Sequence, residues 1–253
     1  MEIISSKENG CSVSDELKEL QKQRVRILLT NIAYFTALLV IALIMLFKNA
    51  GQWIYLPVAA LVLFYLLADR PMLKRFEQRL RISILKHGTL KNLDSWSYEP
   101  KNGLSPDIIV EAGFINVIRT DSFLSRELIS GRKNDISVQI ADVTFPIYEG
   151  GYNKMFSGCL IHLHNPGKDM ELLDVKAGDA SHLKAGREKK LIEKLGEFIP
   201  GSLYLHRKGE NIDILLRGRF VGFQINPLGE IRESTLNSDP LPELKVALEL
   251  AEV

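Results

Sequence analysis

Two long apolar stretches near the start dominate the pattern of the chain. Residues 27–47 are 21 consecutive positions without a formal charge. After Lys48, Asn49 and Ala50, a second such run covers the 18 positions 51–68. As a helix rising about 1.5 Å per residue, the first run is ~31 Å long, close to the ~30 Å hydrocarbon core of a bilayer. Backbone groups in lipid must be satisfied within the segment, and neither run alternates as a barrel strand would. Two helices joined by a tight turn are therefore predicted. Trp53 and Tyr55 fall near the turn and Tyr65 near the far end, where amphipathic rings prefer the interface. Pro57 falls in the first turns of the second helix, where it is tolerated. A helical pair buried in a soluble core would be shorter and keep a polar stripe. A cleaved signal peptide would start earlier and end at small residues.

The charges flanking the runs set an orientation. Lys18, Lys22, Arg24 and Arg26 precede the first run, the turn holds only Lys48, and a dense basic stretch follows the second. By the positive-inside rule both ends of the hairpin face the cytoplasm. Next, 71–87 has helical spacing, with Pro71 at the first position, Gly88 at the cap and Leu73, Phe76, Leu80 and Ile84 on one face. The other face carries Arg70, Lys74, Arg75, Arg79, Arg81 and Lys86 against Glu77 alone. Such a helix beside a span can lie on anionic headgroups, each cation adding about 1 kcal/mol. The competing reading is a continuation of the second span that packs on the body, its charges only setting topology.

The remainder reads as α+β. Residues 96–100 are extended, and Asn102-Gly103 is a turn. Ser105-Pro106-Asp107 is a helix-start signal with an end near Gly113. Thr120 or Asp121 is expected to cap another short helix that runs through Leu128. From Ile136 the period becomes two, and its phase slips after Ala141, as at a bulge or a bend. Strands at 136–145, 156–164 and 170–175 are expected to form an antiparallel meander. A helix over 181–198 follows, ended by Pro200-Gly201. Strands at 203–207 and 212–216 flank a hairpin at 208–211, with a third at 220–225 and a closing helix from about Asp239-Pro240. The layout predicted is a leader at 1–26, a transmembrane hairpin at 27–68, a basic juxtamembrane helix at 69–89 and an α+β domain at 90–253. The helix between strand groups at 90–178 and 200–253 either divides them into two cores or joins them in one.

Composition adds exclusions. The chain has 253 residues, 25% charged, with net charge +1. Residues 70–253 carry 26 basic and 25 acidic side chains, so no nucleic-acid partner is expected, and Arg217-Gly-Arg219-Phe220 reads as a strand-edge turn. Two cysteines, Cys11 and Cys159, make no disulfide framework. Nucleotide-binding glycine motifs, the Gly-x-Ser-x-Gly elbow and His-Glu-x-x-His are all missing, and no cofactor is implied.

The nearest approach to a metal motif is Cys159-Leu-Ile-His162-Leu-His164. On a strand, His162 and His164 share a face while Cys159 points the other way, into the core. Two ligands without a local third fit exposed strand residues better than a tetrahedral site. His182 and His206 stand alone in sequence. A carboxylate pair assembled by the fold would be invisible at this level.

Tyr98-Glu-Pro near Gly103-Leu104, Ala112-Gly113-Phe114, Glu127-Leu-Ile-Ser-Gly131 and Phe156-Ser-Gly158 resemble a bacterial family whose domain has no assigned function. The resemblance spans residues 98–175 and implies a two-span inner-membrane protein with a cytosolic C-terminal domain. It implies no catalytic residue. The expectation is a membrane-anchored interaction or ligand-sensing module, more simply a non-enzyme. Its partners would be the bilayer, anionic headgroups and a membrane or cytosolic protein. The alternative is a membrane-surface enzyme using a metal at His162 and His164.

Overall fold

The computed structural model describes residues 4–5, 13–48, 51, 55–114, 122–149, 152–176, 183, 185–198, 203–223 and 225–253. Cys11, Asn49, Ala50, Trp53, Thr120, Asp121, His182, Pro200 and Gly201 lie outside the described residues. The chain forms two compact units. One comprises Gly10–His87 with Gln224–Ser238, the other Met1–Asn9, Gly88–Phe223 and Asp239–Val253.

The first unit holds the apolar runs. Helix α1 (Val13–Phe47) starts well before its run, so the basic approach to it is already helical. The second run is α2 (Tyr55–Phe64), followed by a π-turn (Tyr65–Asp69) and α3 (Arg70–His87). Both helical stretches are long and apolar enough to cross a membrane, and only 6% of the most apolar window of each is buried. Leu29, Phe35, Phe47, Val58 and Leu67 lie open. A helix pair in a soluble core would bury them, so this apolar surface needs lipid or another apolar cover. Tyr34 stacks on Phe64 at 3.8 Å between centroids, and its hydroxyl donates to the Ala60 carbonyl at 3.2 Å. That bond satisfies the one polar atom of the ring.

Pro71 does not begin a separate helix, as its position predicted. The helix runs through it by way of the π-turn, in which the Arg70 N–H donates to the Tyr65 carbonyl. Pro71 has no N–H to continue the regular ladder, and widening the preceding turn takes up the mismatch. Phe76, Leu80 and Ile84 are buried as the spacing predicted, and α3 contacts α1 and α6 (Glu233–Leu236). Gln21 Nε2 donates to the Ile231 carbonyl at 3.0 Å, tying α1 to the approach to α6.

The second unit is built on one antiparallel sheet. Its strands are β1 (Ile4–Ser5), β2 (Ser95–Glu99), β3 (Leu124–Lys133), β4 (Ile136–Glu149), β5 (Tyr152–His164), β6 (Met170–Lys176), β7 (Leu203–Gly209) and β8 (Asn211–Arg217). Their spatial order is β1-β2-β3-β4-β5-β8-β7-β6. Strand β1 adds only two residues, so seven strands carry the sheet. Helices α4 (Pro106–Glu111), α5 (Arg187–Phe198) and α7 (Glu243–Glu252) complete the unit.

Several expectations are corrected here. The stretch through Leu128 is strand β3, not helix. A bulge between Arg126 and Ile129, with Glu127 at φ +60°, breaks its alternation and puts apolar side chains at helix-like spacing. Of the bulge or bend expected at the phase slip, β4 itself carries no bulge, since it pairs with β5 in unbroken register from Ser137 to Glu149; the bulge of this region is the one on β3, opposite Ala141. Instead β4 changes its buried face. Ile136, Val138 and Ile140 are covered on one side of the sheet, Ala141, Val143 and Phe145 on the other. The three central strands do not form a meander either. Strand β8 takes the place beside β5, and β6 lies at the far edge beside β7. The loop from β5 to β6 is fastened to the β7–β8 turn, where the Asn165 N–H donates to the Glu210 carbonyl and the Gly167 N–H to its carboxylate. Residues 220–223 make no strand, because the carboxylate of Asp142 accepts the Val221 and Gly222 N–H groups at 2.6 and 3.0 Å. Two strand groups thus make a single sheet.

Candidate functional site

Helix α4 covers only half of one sheet face. Ser105 caps it through the Asp107 N–H, and Pro106 occupies its first turn, as the sequence indicated. Ile109 packs with Leu104, Ala141, Val143, Phe145, Phe156, Leu160 and Leu215 in a buried cluster. Beyond the last turn of α4 the same face becomes polar. There the cross-strand register aligns Gln139, His162, Asp213, His206 and Asp174 in one row over five neighbouring strands. The row one pair further out holds Ser137, His164, Asn211 and Lys208.

These side chains bind one another in a regular way. His162 Nδ1 meets Asp213 Oδ1 at 2.6 Å, and His206 Nδ1 meets Asp174 Oδ1 at 2.6 Å. His164 Nδ1 meets Asn211 Oδ1 at 2.8 Å, and its Nε2 lies 3.6 Å from the Glu210 carboxylate. Asp213 is 3% exposed and His206 9%. His206 Nε2 is buried and has no hydrogen-bond partner among the described residues. An unsatisfied buried polar atom costs about 1–3 kcal/mol, so this one calls for a reason.

A cavity of about 510 Å³ opens over the polar half of the face. Ile108 and Glu111 of α4 form one wall. The floor is His162 and His164 of β5, His206 and Lys208 of β7, and Asn211 and Asp213 of β8, with Gly209-Glu210 at the rim. The volume suits a small organic molecule. His162 and His164 share this face, and Cys159 is fully buried on the opposite one, both as expected. Burial pushes the Cys159 thiol well above its usual range, and nearby Asp142 and Glu243 push it the same way. It is a core residue and a poor nucleophile.

Asp213, His206, Asn211 and Asp174 were not expected beside the His-x-His pair. One signal was present. A hairpin closing between Lys208 and Asn211 must place 206 opposite 213, because each step back along one strand matches a step forward on the other. Nothing local announces that β8 pairs with β5. Among the described residues no group of three or more His, Cys, Asp or Glu side chains is arranged to hold a metal ion. The partners explain this: the His162 ring leans toward β8 and the His206 ring toward β6, so they do not converge.

A second polar cluster lies toward the other end of the sheet. Asp142 is 5% exposed, and burial raises its carboxyl to about 6. The Val221 and Gly222 N–H groups work against that rise, and the neighbouring Glu127 carboxylate adds to it. Glu127, on the β3 bulge, accepts a hydrogen bond from the Tyr98 hydroxyl. Burial likewise raises Glu243, which pairs with Arg219 at 2.9 Å. Arg217 lies over the rings of Phe156 and Tyr204 at 5.7 and 5.8 Å. Both arginines of the basic-aromatic turn therefore have structural partners.

Of the six basic residues on α3, Arg79 pairs with Glu19 of α1, Arg81 with Glu77, and Lys86 with Glu16 of α1. Arg70, Lys74 and Arg75 are exposed. Glu16 also bonds Ser83 and His87. The carboxylates of α1 are opposing charges that the spacing within α3 alone does not reveal.

No known protein family, characterised protein or solved structure matches this chain. The resemblance of residues 98–175 accordingly carries no residue role to the cavity.

Proposed function

We propose that the chain is a membrane-anchored module that binds a small polar ligand in the cavity over its half-covered sheet face, as a sensor or interaction device. The observation that carries this reading is His206: a buried imidazole on the cavity floor, held by Asp174 on one nitrogen, with the other left without a partner among the described residues. Groups left unpaired beside a cavity are what a ligand completes. The apolar hairpin supports the anchor, its basic flanks support both hairpin ends in the cytoplasm, and the bacterial plasma membrane is what the resemblance of residues 98–175 implies. Anionic headgroups would be met by Arg70, Lys74 and Arg75, and a membrane or cytosolic protein would receive the signal.

A second reading is a membrane-surface enzyme. The His162–Asp213 pair favours it, since a carboxylate on Nδ1 is how many enzymes orient a general base. A metal held by His162 and His164 would need further ligands brought in by movement of the site.

The test uses the full chain in detergent micelles, screened by thermal shift against a defined set of polar small molecules. Ligand-dependent stabilisation of the wild type, lost in Glu111→Trp, is expected. Equal stabilisation of both proteins, or none at all, would overturn the reading.

A further inference from the structure

The hydrogen bonds around the three cavity imidazoles fix what each can offer a ligand. Asp213 and Asp174 present carboxylate oxygens to Nδ1 of His162 and His206, and Asn211 presents its carbonyl oxygen to Nδ1 of His164. An oxygen of this kind accepts, so in every case Nδ1 carries the proton and donates. In the rings of His162 and His206 the atom left over is Nε2, an acceptor in the Nδ1–H tautomer, whereas His164 Nε2 faces the Glu210 carboxylate at 3.6 Å. Strands β5 and β7 thus turn the rings of His162 and His206 the same way and leave two lone pairs for the cavity. The carboxylates of Glu111 and Glu210 add acceptors at the wall and rim. Lys208 contributes the donor group, and three lining carboxylates outnumber its single ammonium.

We infer that the cavity accepts a small organic cation bearing several N–H donors, an alkylamine or guanidine compound, recognised by Nε2 of His162 and His206 and by the carboxylates of Glu111 and Glu210. The inference rests on the ligand-binding reading above and deepens it. Donor-rich cations complement an acceptor-rich, net-negative cavity, whereas a phosphate or carboxylate would meet three carboxylates and two imidazole lone pairs. A metal ion also seeks imidazole lone pairs, but it needs them within one coordination sphere of ~2.0–2.2 Å radius. Here the rings of His162 and His206 stand two strands apart and lean the same way. Acceptors spread over such a distance suit an extended cation with donors along its length. The buried Nε2 of His206, without a partner among the described residues, is the atom such a donor would satisfy.

The experiment titrates the full chain in detergent micelles with spermidine, agmatine, inorganic phosphate and Zn²⁺, each alone, by calorimetry. Histidine Hε1 resonances are followed by NMR in parallel. Binding of spermidine or agmatine is expected, with shifts in the His162, His164 and His206 signals and none at His87. Glu111→Gln and His206→Gln should each weaken it about tenfold or more, a loss of roughly 1.4 kcal/mol. Lys133→Gln, at the β3–β4 turn, should leave it unchanged. Because the wild-type NMR shifts need no variant, a misfolded mutant does not spare the proposal. Phosphate bound in preference to either amine would overturn the ligand class and leave the ligand-binding reading standing. Zn²⁺ bound stoichiometrically with no amine response would replace the organic cation by a metal. If no probe moves the cavity histidines while the thermal screen finds other ligands, only this inference fails; if that screen is also silent, both fail.

Discussion

The imidazole of His162 and the carboxylate of Asp213 meet at 2.6 Å across β5 and β8, though 51 residues separate them along the chain. The contact joins the first half of the sheet to the second and forms the floor of the cavity. Asp213→Ala should cost about 1–3 kcal/mol in unfolding of the full chain, because it strands a donor at a largely covered site. Asp213→Asn, which keeps an acceptor oxygen, should cost clearly less. Equal losses in the two variants would mean that volume matters there and the hydrogen bond does not.

Asp142 should give stability a pH dependence of unusual sign. Its carboxyl sits at about 6 in the folded chain against an ordinary 3.8. The native state therefore holds the proton more tightly than the unfolded state between these values, and stability falls as pH rises through the window. At 1.36 kcal/mol per unit the full effect is about 3 kcal/mol. Glu243 pulls the same way, whereas the exposed Asp94, held low by the Asn134 N–H and Lys133, pulls the opposite way. The readout is accordingly the difference between wild type and Asp142→Asn, measured by unfolding from about pH 4 to about pH 6.5. That difference should shift against the wild type as pH rises. A constant difference would contradict the assignment.

Gly158 marks the join between the two halves. A Cβ there would lie 2.2 Å from the Leu216 carbonyl oxygen, a backbone atom held in the β5–β8 ladder. Gly158→Ala should destabilise at or above the upper end of the ~1–3 kcal/mol range for overpacking. Gly186→Ala, which meets nothing within 4 Å, is the control. Similar unfolding midpoints for the two would argue against this pairing.

The charges of α3 divide into two sets with different expected roles. Replacing Arg70, Lys74 and Arg75 with Gln should abolish any stabilisation gained on moving from neutral to anionic nanodiscs. Each cation contributes about 1 kcal/mol near a charged surface. Replacing Arg79, Arg81 and Lys86, which already face Glu19, Glu77 and Glu16, should preserve most of that lipid dependence and lower stability in both lipids alike. Loss of the lipid dependence in the second variant but not the first would reverse the assignment.

Topology has a direct measurement. Reporters fused after Ser5 and after Val253 should both read as cytoplasmic, following the basic residues on either side of the hairpin. An exported signal from either fusion would refute the orientation.

What the sequence determined by itself was whatever depends on short range. Unbroken apolar runs announce the two long helices because, without the alternation of a barrel strand, only a helix satisfies its backbone in lipid. Ser105-Pro106-Asp107 announces α4 because caps act within three residues, and the spacing of His162 and His164 puts them on one face because strand side chains alternate. Pairing between distant strands leaves no such mark. That β8 lies beside β5 depends on the apolar face presented by Ile212, Ile214 and Leu216, which Leu203 and Leu205 of β7 present almost identically. Only the packing of the whole sheet chooses between them, and the Gly158 contact fits β8. The bulge at Glu127 disguised β3 as a helix, and the change of covered face in β4 looked like a slip of phase. Each arises where tertiary contacts override the local period. The tertiary structure alone therefore decided that His206, Asp213 and Asp174 stand in one row with His162, because hydrogen bonds across a sheet join residues that the chain keeps far apart.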